Sequence, residues 1–261
     1  MELDIYQIDA FAESVFGGNP AAVCPLDEWM DAAIMQKIAE ENNLSETAFF
    51  VGKEDSYEIR WFMPHGEIDL CGHATLASAY VIFNYLEPHL ELIRFDSKSG
   101  VLKAQKSKED TIVLDFPSRP PKKIDLPKAV FSAFNYKPID AAASRDLILR
   151  FDSEEEIRTL KCDVRTLKEL PYLCVIATAK GREADFVSRV FDANASIPED
   201  PVTGSAHASL IPYWQKRLNK TDFYAKQLSQ RQGDLICSID NDRVYIAGKA
   251  VLYLKGTIYI S

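Results

Sequence analysis

The chain has 261 residues, 47% of them apolar and 26% charged, enough to fill one large domain or two of ordinary size. A formal net charge of −9 excludes the basic footprint that nucleic acid requires, and Lys103, Lys106, Lys108, Lys122 and Lys123 sit among acids. The acidic, strand-like start MELDIYQIDAF is unlike a secretory leader and no apolar run is long enough to span a bilayer, so a cytoplasmic protein without membrane contact is expected.

Residues 3–11 alternate apolar and polar and predict a strand, closed by a turn at Gly17-Gly18-Asn19-Pro20. Asp27 is placed to cap a helix whose apolar stripe is Met30, Ile34 and Ile38, stopping at Asn42-Asn43. SETAFFV (45–51) and YEIRWFM (57–63) read as strands, the second closed by Pro64. After Gly72, HATLASAYVIFNYL is too long and alanine-rich for a strand and is apolar on all sides, which predicts a fully buried helix. Strands are expected near 91–96, 100–105 and 111–116. The proline-rich FPSRPPKKIDLP (116–127) is the natural linker, dividing the chain into domains 1–118 and 119–261, with the last strand able to return to the first domain. The second half then predicts strands near 146–151, 172–178 and 186–191. A helix around ASLIPYW follows, short or kinked because of Pro212, and alternating strands fill 243–260.

Two short stretches look alike. EIDLCGHAT (67–75) and EDPVTGSAH (199–207) each bring acids, then a glycine turn, then an apolar run. Setting Gly72 on Gly204 pairs Cys71 with Thr203 and His73 with Ser205, and upstream Arg60-Trp61-Phe62 matches Arg189-Val190-Phe191, so a duplicated fold is expected. A glycine turn opening a helix leaves backbone N–H groups unpaired and aimed outward, which suits a carboxylate. The spacing fits neither G-x-G-x-x-G nor a P-loop, so a nucleotide phosphate is disfavoured. For either turn alone, an ordinary strand-to-helix turn with a tight glycine is the better reading.

Proton abstraction beside a carboxylate needs a desolvated base, and Glu46, inside SETAFFV on the face of Ala48 and Phe50, is the outstanding candidate, with burial expected to raise its pKa. A glutamate that merely edges the strand is the alternative. The corresponding PYLCVIA stretch carries no acid, which favours one acid/base over a matched pair.

Together, DAFAESVFGGNPAAV, LSETAFF, DLCGHATLASA and EDPVTGSA resemble the PhzF-like family of phenazine-biosynthesis isomerases, from residue 8 to about 215 and in the family's order. That family is similar in turn to diaminopimelate epimerases. The resemblance implies an α+β fold of two similar domains, each a mixed sheet rolled around a central helix, with the active site between them and commonly a homodimer. It implies isomerisation of a small carboxylic acid by proton transfer, without metal or organic cofactor. Carried over by position, Glu46 is the general acid/base. His73, Asp200 and Ser205 orient the substrate, Gly72 and Gly204 offer backbone N–H groups, and Asn19 lies at the rim.

The epimerases open both turns with cysteine, whereas here Cys71 faces Thr203, so a cysteine-pair racemase is not expected. Cys71 at a helix start has grounds for a lowered pKa, and a passive packing role is the favoured expectation. A cysteine hydrolase built on Cys71 and His73 is disfavoured because residues two apart rarely meet as nucleophile and base, and His207 lacks an evident orienting partner. His65, Cys71, His73 and His207 match no zinc spacing, so no metal is expected. Five scattered cysteines without a C-x-x-C pair read as reduced thiols. The non-enzyme alternative is a protein of the same fold that binds a small acid or a protein partner without turnover.

Overall fold

The structure, a computed structural model, describes residues 1–193 and 197–260. The fold is of mixed α/β type, rich in strands and poor in helices. It divides into two compact units, Met1–Asp115 with Ala247–Ser261, and Phe116–Ile246. Among the described residues, no helix is long and apolar enough to cross a membrane.

The first unit runs β1 (Glu2–Ala10), β2 (Asn19–Leu26), α1 (Ala32–Asn42), β3 (Glu46–Lys53), β4 (Ser56–Met63), β5 (Gly66–Ile68), α2 (Gly72–Val81), β6 (Leu92–Ser97), β7 (Gly100–Lys106) and β8 (Ile112–Pro117). β2 pairs antiparallel with β1 and parallel with β3, across the α1 crossover. β3 lines one edge of β4, and the other edge is shared by antiparallel β5 and parallel β6. β7 and β8 complete the meander.

The second unit repeats this plan with β9 (Lys122–Ile124), a helical turn α3 (Val130–Ala133), β10 (Asp140–Ala143), β11 (Leu147–Arg150), α4 (Glu154–Arg158), β12 (Val175–Lys180), β13 (Phe186–Phe191), β14 (Glu199–Asp200), α5 (Gly204–Leu218), β15 (Asp222–Gln227), β16 (Gly233–Asp240) and β17 (Arg243–Gly248). β11 is antiparallel to β10 and parallel to β12, and β13 carries β12 on one edge and β14 with parallel β15 on the other. The final strand, β18 (Ala250–Tyr259), pairs antiparallel with β1, as β9 does with β10. The duplication suggested by a few motif residues is therefore carried through the strand order.

The alanine-rich helix α2 is buried on every face, from Gly72 to Ala79 and at Val81, against β1, β2, β3, β7 and β18. Small side chains let these strands approach closely, while Leu76 and Val81 supply the bulk. In the second unit Trp214 of α5 stacks on Phe186 at 5.7 Å between centroids and donates its indole N–H to Thr178 Oγ1. A cluster including Phe134, Leu149, Phe151, Leu160 and Phe191 forms a further core there.

Four expectations change. The cap of α1 is Asp31, whose carboxylate accepts from the Ala33 N–H at 2.7 Å, because the chain stays extended through Leu26 and Asp27 belongs to the following turn. The stop at Asn43 holds, in a left-handed conformation. The proline-rich linker contains β9, which pairs with Ala141–Ala143 and exposes Lys122 and Lys123 in the manner of a charged edge strand. The helix holding Pro212 is long rather than short. Pro212 cannot donate to the Ala208 carbonyl four residues back, and the Arg119 backbone N–H takes that acceptor at 2.9 Å. Finally, β2, β15 and β16 were not anticipated as strands.

Candidate active site

In the first unit the site is assembled from three chain segments. Gly18 holds φ +60° in the turn before β2, where a Cβ would lie 2.1 Å from the Ala10 carbonyl oxygen, so only glycine allows this approach. The turn delivers Asn19 to the start of β2, and the parallel register sets Ala21 beside Glu46, the first residue of β3. Cys71, extended at φ −136°, is the N-cap of α2, followed by Gly72 and His73 in the first turn, where backbone N–H groups lack helical acceptors.

These residues meet at His73, which is buried. Its Nδ1 lies 3.1 Å from Asn19 Nδ2 and 3.5 Å from Cys71 Sγ, and its Nε2 lies 3.1 Å from Glu46 Oε2. In the neutral ring Asn19 donates to Nδ1 and the proton sits on Nε2, toward Glu46; in the charged ring Nδ1 is a donor too, and the Asn19 amide must turn its oxygen to it. The Glu46 contact is close but poorly aligned for a hydrogen bond. Burial works against a charged His73, but the Glu46 carboxylate 3.1 Å away favours the charged form, and the imidazole is carried well above its usual value. Burial first and the Glu46 charge second push the Cys71 thiol up to about 11, so it is protonated at neutral pH, opposite to the lowering a helix start would give. Glu46 keeps 13% of its side chain accessible, against 4% for His73, so the carboxylate is the member that solvent reaches.

Two expectations about this cluster are corrected. Asn19 is fully buried beneath His73 rather than at a rim, because β2 begins at that residue. Cys71 and His73 do come within contact, because the extended N-cap and the first helical turn fold their side chains together. The protonated thiol nonetheless makes a poor nucleophile. The zinc set considered from sequence does not form within this unit, since His65 is exposed while Glu46, Cys71 and His73 offer ligand atoms within 4.8 Å of one another.

In the second unit Thr203 caps α5 and Gly204 and Ser205 open it, in the places of Cys71, Gly72 and His73. Thr203 Oγ1 donates to Asp200 Oδ2 at 2.5 Å. Fully buried Gln227, at the end of β15, accepts from the Thr203 N–H at 2.9 Å and donates to the Asp200 carbonyl at 2.8 Å. Ser205 Oγ accepts from Arg145 Nη2 at 3.1 Å. His207 donates Nδ1–H to the Thr203 carbonyl at 2.9 Å, and burial lowers its pKa to about 4, keeping it neutral. Thr75 makes the same return bond to the Cys71 carbonyl in α2. With the two arginines aligned, Arg60 opposite Phe49 and Arg189 opposite Ala177, the place of Glu46 three residues before Phe49 falls on Cys174, just before β12.

The glutamate that opens each motif proves to be a clamp. Glu67 holds Arg60 through two bonds of 2.8 and 2.9 Å, and Glu199 holds Arg189 through two of 2.7 and 2.8 Å. Hydrogen bonding to Arg60 takes Glu67 down to about 2. Both pairs brace the strand before its turn against the strand that enters it. The matched arginines and leading acids were visible in the aligned repeat. Gln227 and Arg145 carried no such signal.

Comparison with known proteins agrees with this architecture. The family model for phenazine biosynthesis-like proteins, PhzC-PhzF, matches residues 8–256. An uncharacterized isomerase of Pseudomonas aeruginosa is 47% identical over 260 residues, covering all of both chains. The crystal structure of a PhzF-family phenazine biosynthesis protein from Enterococcus faecalis superposes with a TM-score of 0.96 at 49% identity, again over all of both chains. A hydroxyproline epimerase from Agrobacterium vitis shares the fold alone, with a TM-score of 0.65 at 9% identity over 98% of this chain and 92% of its own. A carboxylate–imidazole pair on a duplicated epimerase-type fold thus meets a family match along nearly the whole sequence, and the chain belongs to the PhzC-PhzF family of phenazine biosynthesis-like proteins, an isomerase and epimerase type of family.

Proposed function

We propose that this protein is an isomerase that moves a proton on a small carboxylic acid, with Glu46 as the acid/base. The observation that carries this reading is the Glu46–His73 contact: a carboxylate with residual access, set 3.1 Å from a buried imidazole whose pKa is raised. The Glu46 carboxylate accepts a proton from a carbon conjugated with the substrate carboxyl, and the C–H electron pair is delocalised as an enolate. The resulting carboxylic acid then returns the proton to a different carbon or to the opposite face. His73 keeps Glu46 in place between turnovers. Asn19 orients the ring, and Cys71 fills space beside it.

The turn at Asp200, Thr203, Gly204 and Ser205 supplies donors for an acid group, its backbone fixed by Gln227. This scheme calls for no metal or organic cofactor, and the substrate is a free small molecule. Thr203 in the place of Cys71 and the lack of an acid in the place of Glu46, where Cys174 stands, favour one acid/base over two.

The test is deuterium uptake from heavy water by a pool of small carboxylic and amino acids, followed by mass spectrometry. Uptake with the wild type that disappears in Glu46→Gln supports the assignment and names the substrate class. Uptake that survives Glu46→Gln and stops in Cys71→Ser moves the base to sulfur. Absence of uptake across a broad pool favours a binding protein of the same fold.

A further inference from the structure

Beside Ser205 the second unit holds a group of charges that the scheme above leaves unused. The β10–β11 hairpin turns through Ser144, Arg145 and Asp146, and this turn is fixed to α5 by Ser144–Ser209 and Arg145–Ser205 hydrogen bonds of 3.0 and 3.1 Å. Asp146 is wholly buried and is matched by Arg145, which donates Nε and Nη2 to its two oxygens at 2.9 and 2.8 Å. One carboxylate and one guanidinium are thereby neutralised.

Arg119 stands against the same group. Its backbone is bonded to the Ala208 carbonyl, and its guanidinium is near enough to Arg145 and Asp146 for both charges to act on it. Burial and the charge of Arg145 hold Arg119 below its usual pKa. Among the described residues no carboxylate forms an ion pair with Arg119, and its Nη1 is buried without a hydrogen-bond partner. A buried guanidinium nitrogen without a hydrogen-bond partner is costly, and a water or an anionic ligand is needed to complete it. In the first unit the residue that reaches His73, in the place of Ser205, from the first hairpin is the neutral Asn19.

We propose that Arg119, together with Arg145, forms a subsite beside Ser205 for an oxyanion, and that the oxyanion is a second carboxylate of the substrate. The substrate class is then a small dicarboxylic acid rather than a monocarboxylic or simple amino acid. The planar guanidinium is suited to paired hydrogen bonds with a carboxylate, which lysine cannot reproduce. The subsite rests on the reading of Ser205 as a substrate-facing residue.

Calorimetric titration with succinate and with butyrate, two four-carbon acids that differ in one carboxylate, tests it. In the wild type succinate is expected to bind at least about tenfold more tightly, the scale of one charge-assisted contact. Arg119→Met should erase that preference while leaving butyrate affinity unchanged, and Arg119→Lys should restore it only in part. Ser205→Ala should weaken both acids. Equal affinities in the wild type, or a preference that survives Arg119→Met, would overturn the subsite. Affinities for both acids that ignore Ser205→Ala would equally overturn it as part of the substrate site. If Arg119→Met unfolds, Arg119→Gln and the succinate-dependent shift in melting temperature give the same comparison. These titrations need no turnover, so an absence of deuterium uptake would count against the isomerase and leave the binding result standing.

Discussion

The two glycine turns, Cys71-Gly72-His73 and Thr203-Gly204-Ser205, begin helices in matching places and are braced by matching Arg–Glu clamps. Around the first lie groups that can change protonation: a thiol, an imidazole and a carboxylate within 4.8 Å of one another. Around the second lie a hydroxyl, an amide and a carboxylate tied to one another, with a histidine too deeply buried to charge. One backbone geometry thus supports two kinds of site. A few side chains give titratable groups to one copy and fixed hydrogen bonding to the other. A duplicated fold need not keep duplicated chemistry.

The largest expected effect falls on the first turn. Glu46→Gln should lower proton exchange by about 10²–10⁴-fold while the protein still melts cooperatively, and exchange kinetics read beside a thermal melt will show it. A loss of folding instead would make Glu46 a structural residue. Next come the clamps, where the copies can be set against each other. Glu67→Gln should cost about 2–3 kcal/mol in urea at neutral pH, since the carboxylate sits at about 2 rather than its usual 4.5. A lowered carboxylate contributes fully above its ordinary value, and the contribution is lost as pH falls through about 2. The acid limb of the stability profile should therefore flatten in this variant. Glu199→Gln should cost less, about 1–2 kcal/mol, because Arg189 keeps its bonds to the Ile157 and Leu160 carbonyls.

Gln227→Leu should cost about 1–3 kcal/mol by leaving the Thr203 N–H without its acceptor, and it should raise the KM for the acid substrate more than it lowers kcat. The smallest effect is expected at Cys71. Cys71→Ser should change stability by about 1 kcal/mol and exchange only severalfold, and the thiol should resist iodoacetamide at neutral pH in the folded protein. Rapid alkylation would show that it is a thiolate and would undo the contrast with Thr203.

How much of this the sequence disclosed follows from the range of each interaction. The turn glycines, the buried alanine-rich helix and the acid at Glu46 are local signals, and the structure has them where they were expected. Asp27 and Asp31 both precede the same apolar stripe, and only the length of β2 decides which one caps α1. β9 was hidden because prolines flank it, and proline composition does not reveal that the three residues among them pair with Ala141–Ala143. Gln227 and Arg145 reach their partners across 24 and 60 residues, a distance at which one sequence alone carries no pairing signal. Cys71 and His73 are neighbours in sequence, yet their contact depends on an extended cap that no spacing rule encodes.

Pro212 lies far along the chain from Arg119, yet it decides where Arg119 sits. By failing to take the Ala208 carbonyl it leaves a socket in the side of α5, and the chain entering the second unit plugs its own N–H into it. Pro212→Ala improves the helix by ordinary propensity, worth about 3 kcal/mol in an isolated interior position. It also closes the socket and strands the Arg119 N–H. The better helix would thus be the worse anchor, and a substitution chosen to stabilise α5 would loosen a guanidinium that never touches the proline.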